Sequence, residues 1–119
     1  MNYFRFTSNE DYFPEVIFNK EILEIKGQSY MEDPFSFFLQ LIDSIRKHKN
    51  DLENIEVSIK LEYFNTSTSK CLYDMCEILN DSGVKNINWY YHESDEDSYD
   101  EIIEMEKALG FKINKKIYD

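Results

Sequence analysis

The stretch Ile55-Glu56-Val57-Ser58-Ile59-Lys60-Leu61-Glu62-Tyr63-Phe64-Asn65-Thr66-Ser67-Thr68-Ser69 decides how the rest of the chain reads. In its first half Ile55, Val57, Ile59, Leu61 and Tyr63 alternate with Glu56, Ser58, Lys60 and Glu62, a pattern that Phe64 ends. A period of two is that of a strand with one buried face. The second half is a run of amide and hydroxyl side chains, followed by Cys71, Leu72, Met75, Cys76 and Leu79 at helical spacing, which predicts a helix over about Thr66 to Asn80. Hydroxyls at a helix start are ordinary caps, each contributing about 1 kcal/mol. They also lie beside first-turn N–H groups without intrahelical partners and at the positive end of the helix dipole, a setting that suits an added phosphate. Thr66 and Ser67 compete for the cap position, and both readings of the cluster stand at this level.

Upstream, Glu15 to Phe18 and Ile22 to Lys26 flank Asn19-Lys20-Glu21, predicting a hairpin with a short polar loop whose second strand Gly27 closes. Asp33-Pro34 reads as N-cap and first helical residue of a helix running to about His48, with Phe35, Phe38, Leu39, Ile42 and Ile45 as its apolar stripe. Downstream, Asp81-Ser82-Gly83 ends the second helix and Asn86 to Tyr91 reads as a short strand. Ser98 and Glu101 form a candidate capping box for a third helix carrying Ile102, Met105 and Leu109, Gly110 stands at its C-terminal cap, and Phe111 and Ile113 begin a last strand. Hairpin, helix, strand, helix, strand, helix, strand is the alternation of an α/β fold: one mixed sheet with an N-terminal hairpin and helical crossovers packed on it. Sites in such sheets gather at the carboxyl ends of strands, where the hydroxyl cluster after Phe64 falls.

Composition narrows the function. A chain of 119 residues is one ordinary domain, and 42% hydrophobic content with nine Phe and nine Tyr supplies one core. The net charge of −11 repels a phosphate backbone, and the densest basic run, Arg46-Lys47-His48-Lys49, falls at a helix end, so no nucleic acid partner is expected. Neither a signal-peptide stretch in Met1 to Thr7 nor an 18-residue apolar span occurs, so a cytoplasmic chain without a membrane partner is expected. Cys71 and Cys76, five apart on one helix, cannot bridge and read as buried thiols. The acidic run Glu93 to Glu101 lacks the glycine turn and ligand spacing of a calcium loop, and His48 and His92 stand alone. Trp89, Tyr90 and Tyr91 read as packing in and beside the sheet. No catalytic residue, cofactor or metal is expected.

Four further markers stand out: Pro14-Glu15-Val16; Leu23 to Tyr30 with Glu32; Leu61-Glu62-Tyr63-Phe64-Asn65-Thr66-Ser67; and Asn88-Trp89-Tyr90-Tyr91. By these the chain resembles the SiaC family of bacterial regulatory phosphoproteins, whose fold is similar to that of STAS-type anti-sigma-factor antagonists. The resemblance implies a single STAS-like domain over residues 1–119. It implies that Thr66 is the phosphoacceptor, with Asn65, Ser67 and Thr68 beside it as partner-binding residues. A Ser/Thr protein kinase would add the phosphate and a PPM-type protein phosphatase remove it. The unphosphorylated form would bind and stimulate a diguanylate cyclase or other output protein, with cyclic di-GMP as the output. Phe13 stands where members often carry Thr, and Ser67-Thr68 where they often carry a serine pair, so Thr68 and Ser69 leave room for a second acceptor. The alternatives are a constitutive STAS-type interaction module and, last, a small hydrolase, for which the sequence supplies no visible base.

Overall fold

Six strands and three helices make up the computed structural model, which describes residues 2–118. In chain order they are β1 (Asn2–Phe6), β2 (Glu15–Asn19), β3 (Ile22–Ser29), α1 (Pro34–Lys47), β4 (Glu56–Phe64), α2 (Thr66–Asp81), β5 (Ile87–Tyr91), α3 (Glu96–Leu109) and β6 (Asn114–Ile117). The sheet follows the same order, β1 to β6. The first three strands pair antiparallel and β3 to β6 pair parallel. Each parallel step carries one helix and moves one strand along in the same direction, so right-handed crossovers put all three helices on one face.

The alternation in β4 orients the sheet. Val57, Ile59 and Leu61 are buried; on one side they pair with the buried Leu23 and Ile25 and with the exposed Gly27, while on the other Val57 and Ile59 meet Ile87 and Trp89. Against this layer pack Phe38, Leu41 and Ile45 of α1, Leu72, Met75 and Leu79 of α2, and Ile102 of α3. The face turned away from the helices is polar: Lys60 pairs with Glu24 at 3.2 Å and lies 5.0 Å from the Tyr90 ring centre, and Lys26 pairs with Glu15 at 3.6 Å. At its far edge the short β6 carries Lys115 and Lys116.

Several local readings shift. Gly27 does not close β3; it sits inside the strand at φ +106°, and the register slips there, from Gly27 opposite Leu61 to Gln28 opposite Tyr63. The extra residue is Glu62, and beyond this bulge Glu62 and Tyr63 are both exposed while Phe64 turns back toward Trp89, 5.7 Å between ring centres. Residues Asn2–Phe6, unassigned from sequence, form the outer strand β1, with Phe4 and Phe6 directed at Phe37. In α1 the buried stripe is Pro34, Phe37, Phe38, Leu41, Ile42 and Ile45, and the expected Phe35 and Leu39 face solvent. Helix α3 starts at Glu96, capped by Asp95, which accepts from both the backbone N–H and the hydroxyl of Ser98; Ser98 is therefore inside the helix rather than its cap. Phe111 and Ile113 precede β6 instead of opening it. Among the described residues no helix is long and apolar enough to cross a membrane.

Candidate functional site

Because β3 and β4 run parallel, their carboxyl ends lie side by side, with Ser29 opposite Phe64 as the last paired residues. The chain leaves β3 through Tyr30–Asp33 into α1 and leaves β4 through Asn65 into α2, so two helix starts share one rim. Asn65 joins them. It is the N-cap of α2, its side-chain oxygen accepting from the Thr68 N–H at 2.9 Å. Its side-chain amide donates to the Met31 carbonyl at 3.4 Å, and its backbone N–H donates to the Ser29 carbonyl at 3.1 Å. The competition between Thr66 and Ser67 for the cap thus goes to neither.

The four hydroxyls that follow differ in access. Thr66 is the first helical residue and is exposed, as is Ser67. Their N–H groups occupy the first helical turn, where helix geometry provides no acceptor. Thr68, expected beside the acceptor as a partner-binding residue, is 0% exposed, with its hydroxyl 2.7 Å from that of Ser29, also fully buried. One turn of helix geometry explains this, since the cap bond from Asn65 pulls the third residue of α2 onto the end of β3. A modifying enzyme or partner meets Thr68 only after that turn opens. Ser69 is half-buried and donates to the Glu101 carboxylate of α3.

Thr66, Ser69 and Lys70 line a shallow groove of about 450 Å³ between α2 and α3, completed by Tyr73, Glu101 and Glu104. Lys70 is the one cation among these residues, and it stands four positions beyond Thr66, on the same helical face. On the other side of Asn65 a cavity of about 690 Å³ opens between Tyr12, Phe13, Tyr30, Met31, Glu32 and Asp33. Hydrogen bonds from the Ser36 side chain and N–H hold the Asp33 carboxyl below the usual carboxylate range, so it is charged at neutral pH. Sequence reasoning missed Ser29 and Glu101. The Ser29 to Thr68 contact spans 39 residues and has no local signature; Glu101 was hidden by being read as part of a cap.

The two thiols lie on the core side of α2, and both are buried. Burial pushes Cys71 up to about 11, with the Asp74 charge adding to it, and Cys76 up to about 12. A raised thiol pKa leaves little thiolate at pH 8. We therefore expect the native protein to react negligibly with Ellman's reagent at pH 8 and to release two equivalents once unfolded in guanidinium; two fast equivalents without denaturant would contradict the burial.

The family model described as SiaC family regulatory phosphoprotein matches residues 7–117, nearly the whole chain. The chain belongs to the SiaC family. The match takes in every element of the rim, from Tyr12 to Glu104. An uncharacterized protein of Pseudomonas aeruginosa (strain UCBPP-PA14) is 29% identical over 79 residues, which cover 62% of this chain and 63% of that relative. Among solved structures, apo-SiaC from Pseudomonas aeruginosa is 20% identical with a TM-score of 0.74, covering 98% of each chain. A chain of the crystal structure of diguanylate cyclase SiaD in complex with its activator SiaC, from the same organism, is also 20% identical, with a TM-score of 0.84, covering 97% of this chain and 99% of that one. At this identity the likeness is one of fold, and the six-stranded sheet with three helices is a SiaC fold.

Proposed function

We propose that this chain is a phosphorylation-controlled activator of a diguanylate cyclase, with Thr66 as the acceptor. In this reading a Ser/Thr kinase modifies Thr66, a PPM-type phosphatase restores it, and the unmodified rim around Asn65 and Ser67 docks on the cyclase. The observation that carries the reading is the unequal access of the hydroxyl cluster: Thr66 stands exposed at the first position of α2, on the rim shared by two helix starts, whereas Thr68 is sealed against Ser29. A phosphate there adds roughly −1.5 to −2 charge where first-turn N–H groups and the helix dipole accommodate it. The added charge changes the surface a partner meets without breaking the cap or the core. Membership of a family of regulatory phosphoproteins supports the same reading, as does the complex of SiaC with the diguanylate cyclase SiaD in a protein of like fold.

The direct test is intact-mass and fragment analysis of the protein isolated from its native cell. The expected result is a population carrying one phosphate, mapped to Thr66. A phosphate mapped elsewhere would reassign the acceptor, and a protein unmodified under every growth condition would favour a constitutive docking module.

A further inference from the structure

The cavity beside Asn65 has a chemistry that the phosphoacceptor does not use. Its walls are aromatic, from Tyr12, Phe13 and Tyr30, its floor is the buried Met31, and its rim carries two carboxylates, Glu32 and Asp33. Among the described residues no Lys or Arg lines it. The walls are held in place: the Tyr30 N–H donates to the Tyr12 carbonyl at 3.0 Å, Tyr12 packs on Phe13 with ring centres 4.9 Å apart, and Tyr30 packs on Tyr63 at 4.6 Å. Tyr12 and Tyr30 nevertheless keep 43% and 44% of their surface exposed, so aromatic area remains for an occupant.

Aromatic faces together with carboxylates, on a chain of net charge −11, complement a cation. A guanidinium fits better than an ammonium, because it is planar, weakly hydrated, stacks on aromatic rings and pairs with a carboxylate through two parallel N–H bonds. Asp33 already accepts from Ser36 on both of its oxygens, which makes Glu32 the carboxylate with capacity for such a pair. We propose that this cavity binds an arginine side chain presented by a partner protein, its guanidinium stacked on the tyrosine walls and paired with Glu32. The Met31 carbonyl at the floor accepts from the Asn65 side chain, so the arginine site shares its wall with the loop that precedes Thr66. That the arginine belongs to a signalling partner rests on the proposed regulatory function; the affinity of the cavity for a guanidinium does not.

The probe is N-acetyl-arginine amide, titrated into the full-length protein and followed by amide chemical shifts. Saturable shifts are expected at Tyr12, Tyr30 and Glu32, weakened by salt, with N-acetyl-citrulline amide, the neutral isostere, binding about tenfold more weakly. Glu32→Gln should bring arginine down to the citrulline level, and Tyr30→Ala should weaken both. Both side chains are exposed, and unchanged shifts outside the cavity verify that the variants remain folded. The proposal is overturned if citrulline or lysine amide binds as tightly as arginine amide, or if the shifts survive both substitutions. No reagent here touches Thr66, so a negative result removes the arginine site alone, whereas a failure of the phosphorylation reading appears in mass mapping.

Discussion

Phosphorylation of Thr66 is expected to weaken capture of the output partner by at least about tenfold while leaving the unfolding midpoint nearly unchanged. The separation of the two effects follows from position. Thr66 is exposed, and the turn it begins is held by Asn65 and by the Ser29 to Thr68 contact, neither of which the phosphate displaces. The nearby charges pull in both directions: Lys70 attracts the dianion, and Glu101 and Glu104 across the groove repel it. Docking, by contrast, must desolvate a dianion at the rim, which is costly unless the partner supplies a matching cation. Titrating the cyclase with unmodified protein, phosphorylated protein and Thr66→Ala measures this directly. Thr66→Ala should bind like the unmodified form. Equal binding by all three would sink the switch, and a phosphorylated form with a strongly lowered denaturant midpoint would mean that the modification acts by unfolding.

Trp89→Ala is expected to cost about 3–5 kcal/mol, the largest effect of any single truncation here. Trp89 is 1% exposed in the middle of β5, packed against Phe64 and paired with Ile59. Its indole N–H is buried and has no hydrogen-bond partner among the described residues. Trp89→Phe should therefore lie within about 1 kcal/mol of the parent, since removing an unsatisfied donor offsets part of the lost volume. Because the chain has one tryptophan, both variants call for urea unfolding followed by far-ultraviolet circular dichroism rather than fluorescence. A cost of Trp89→Ala below about 1 kcal/mol would show that the site is not packed as described.

How much of this was legible varied with how local the deciding interaction is. The β4 alternation was plain because Val57, Ile59 and Leu61 keep a regular period up to the bulge, and the α2 stripe because Cys71, Leu72, Met75, Cys76 and Leu79 keep helical spacing on the buried face. In α1 the chain offers Phe35, Phe37, Phe38, Leu39, Leu41, Ile42 and Ile45, so two stripes satisfy helical spacing, and only packing of Phe37 against Phe4, Phe6 and Phe13 chooses between them. The start of α3 was misplaced because Asp95 to Ser98 and Ser98 to Glu101 share the same cap spacing. Strand β1 was missed because Tyr3-Phe4-Arg5-Phe6 does not alternate cleanly between apolar and polar residues, and its pairing partner lies beyond an irregular loop. At the rim, the position of Thr66 was readable from sequence, but the sealing of Thr68 was not, since it depends on where the end of β3 arrives.

The short lysine-bearing strand at one margin of the sheet has a further consequence. An open sheet in a chain with 16% aromatic residues exposes two unpaired edges on which a second chain could add strands. One edge is only four residues long and carries Lys115 and Lys116, and the other, β1, is broken by a register irregularity between Asn2 and Phe4. Neither offers a flat, uncharged template, so the fold carries its own guard against edge-to-edge aggregation and fibril growth.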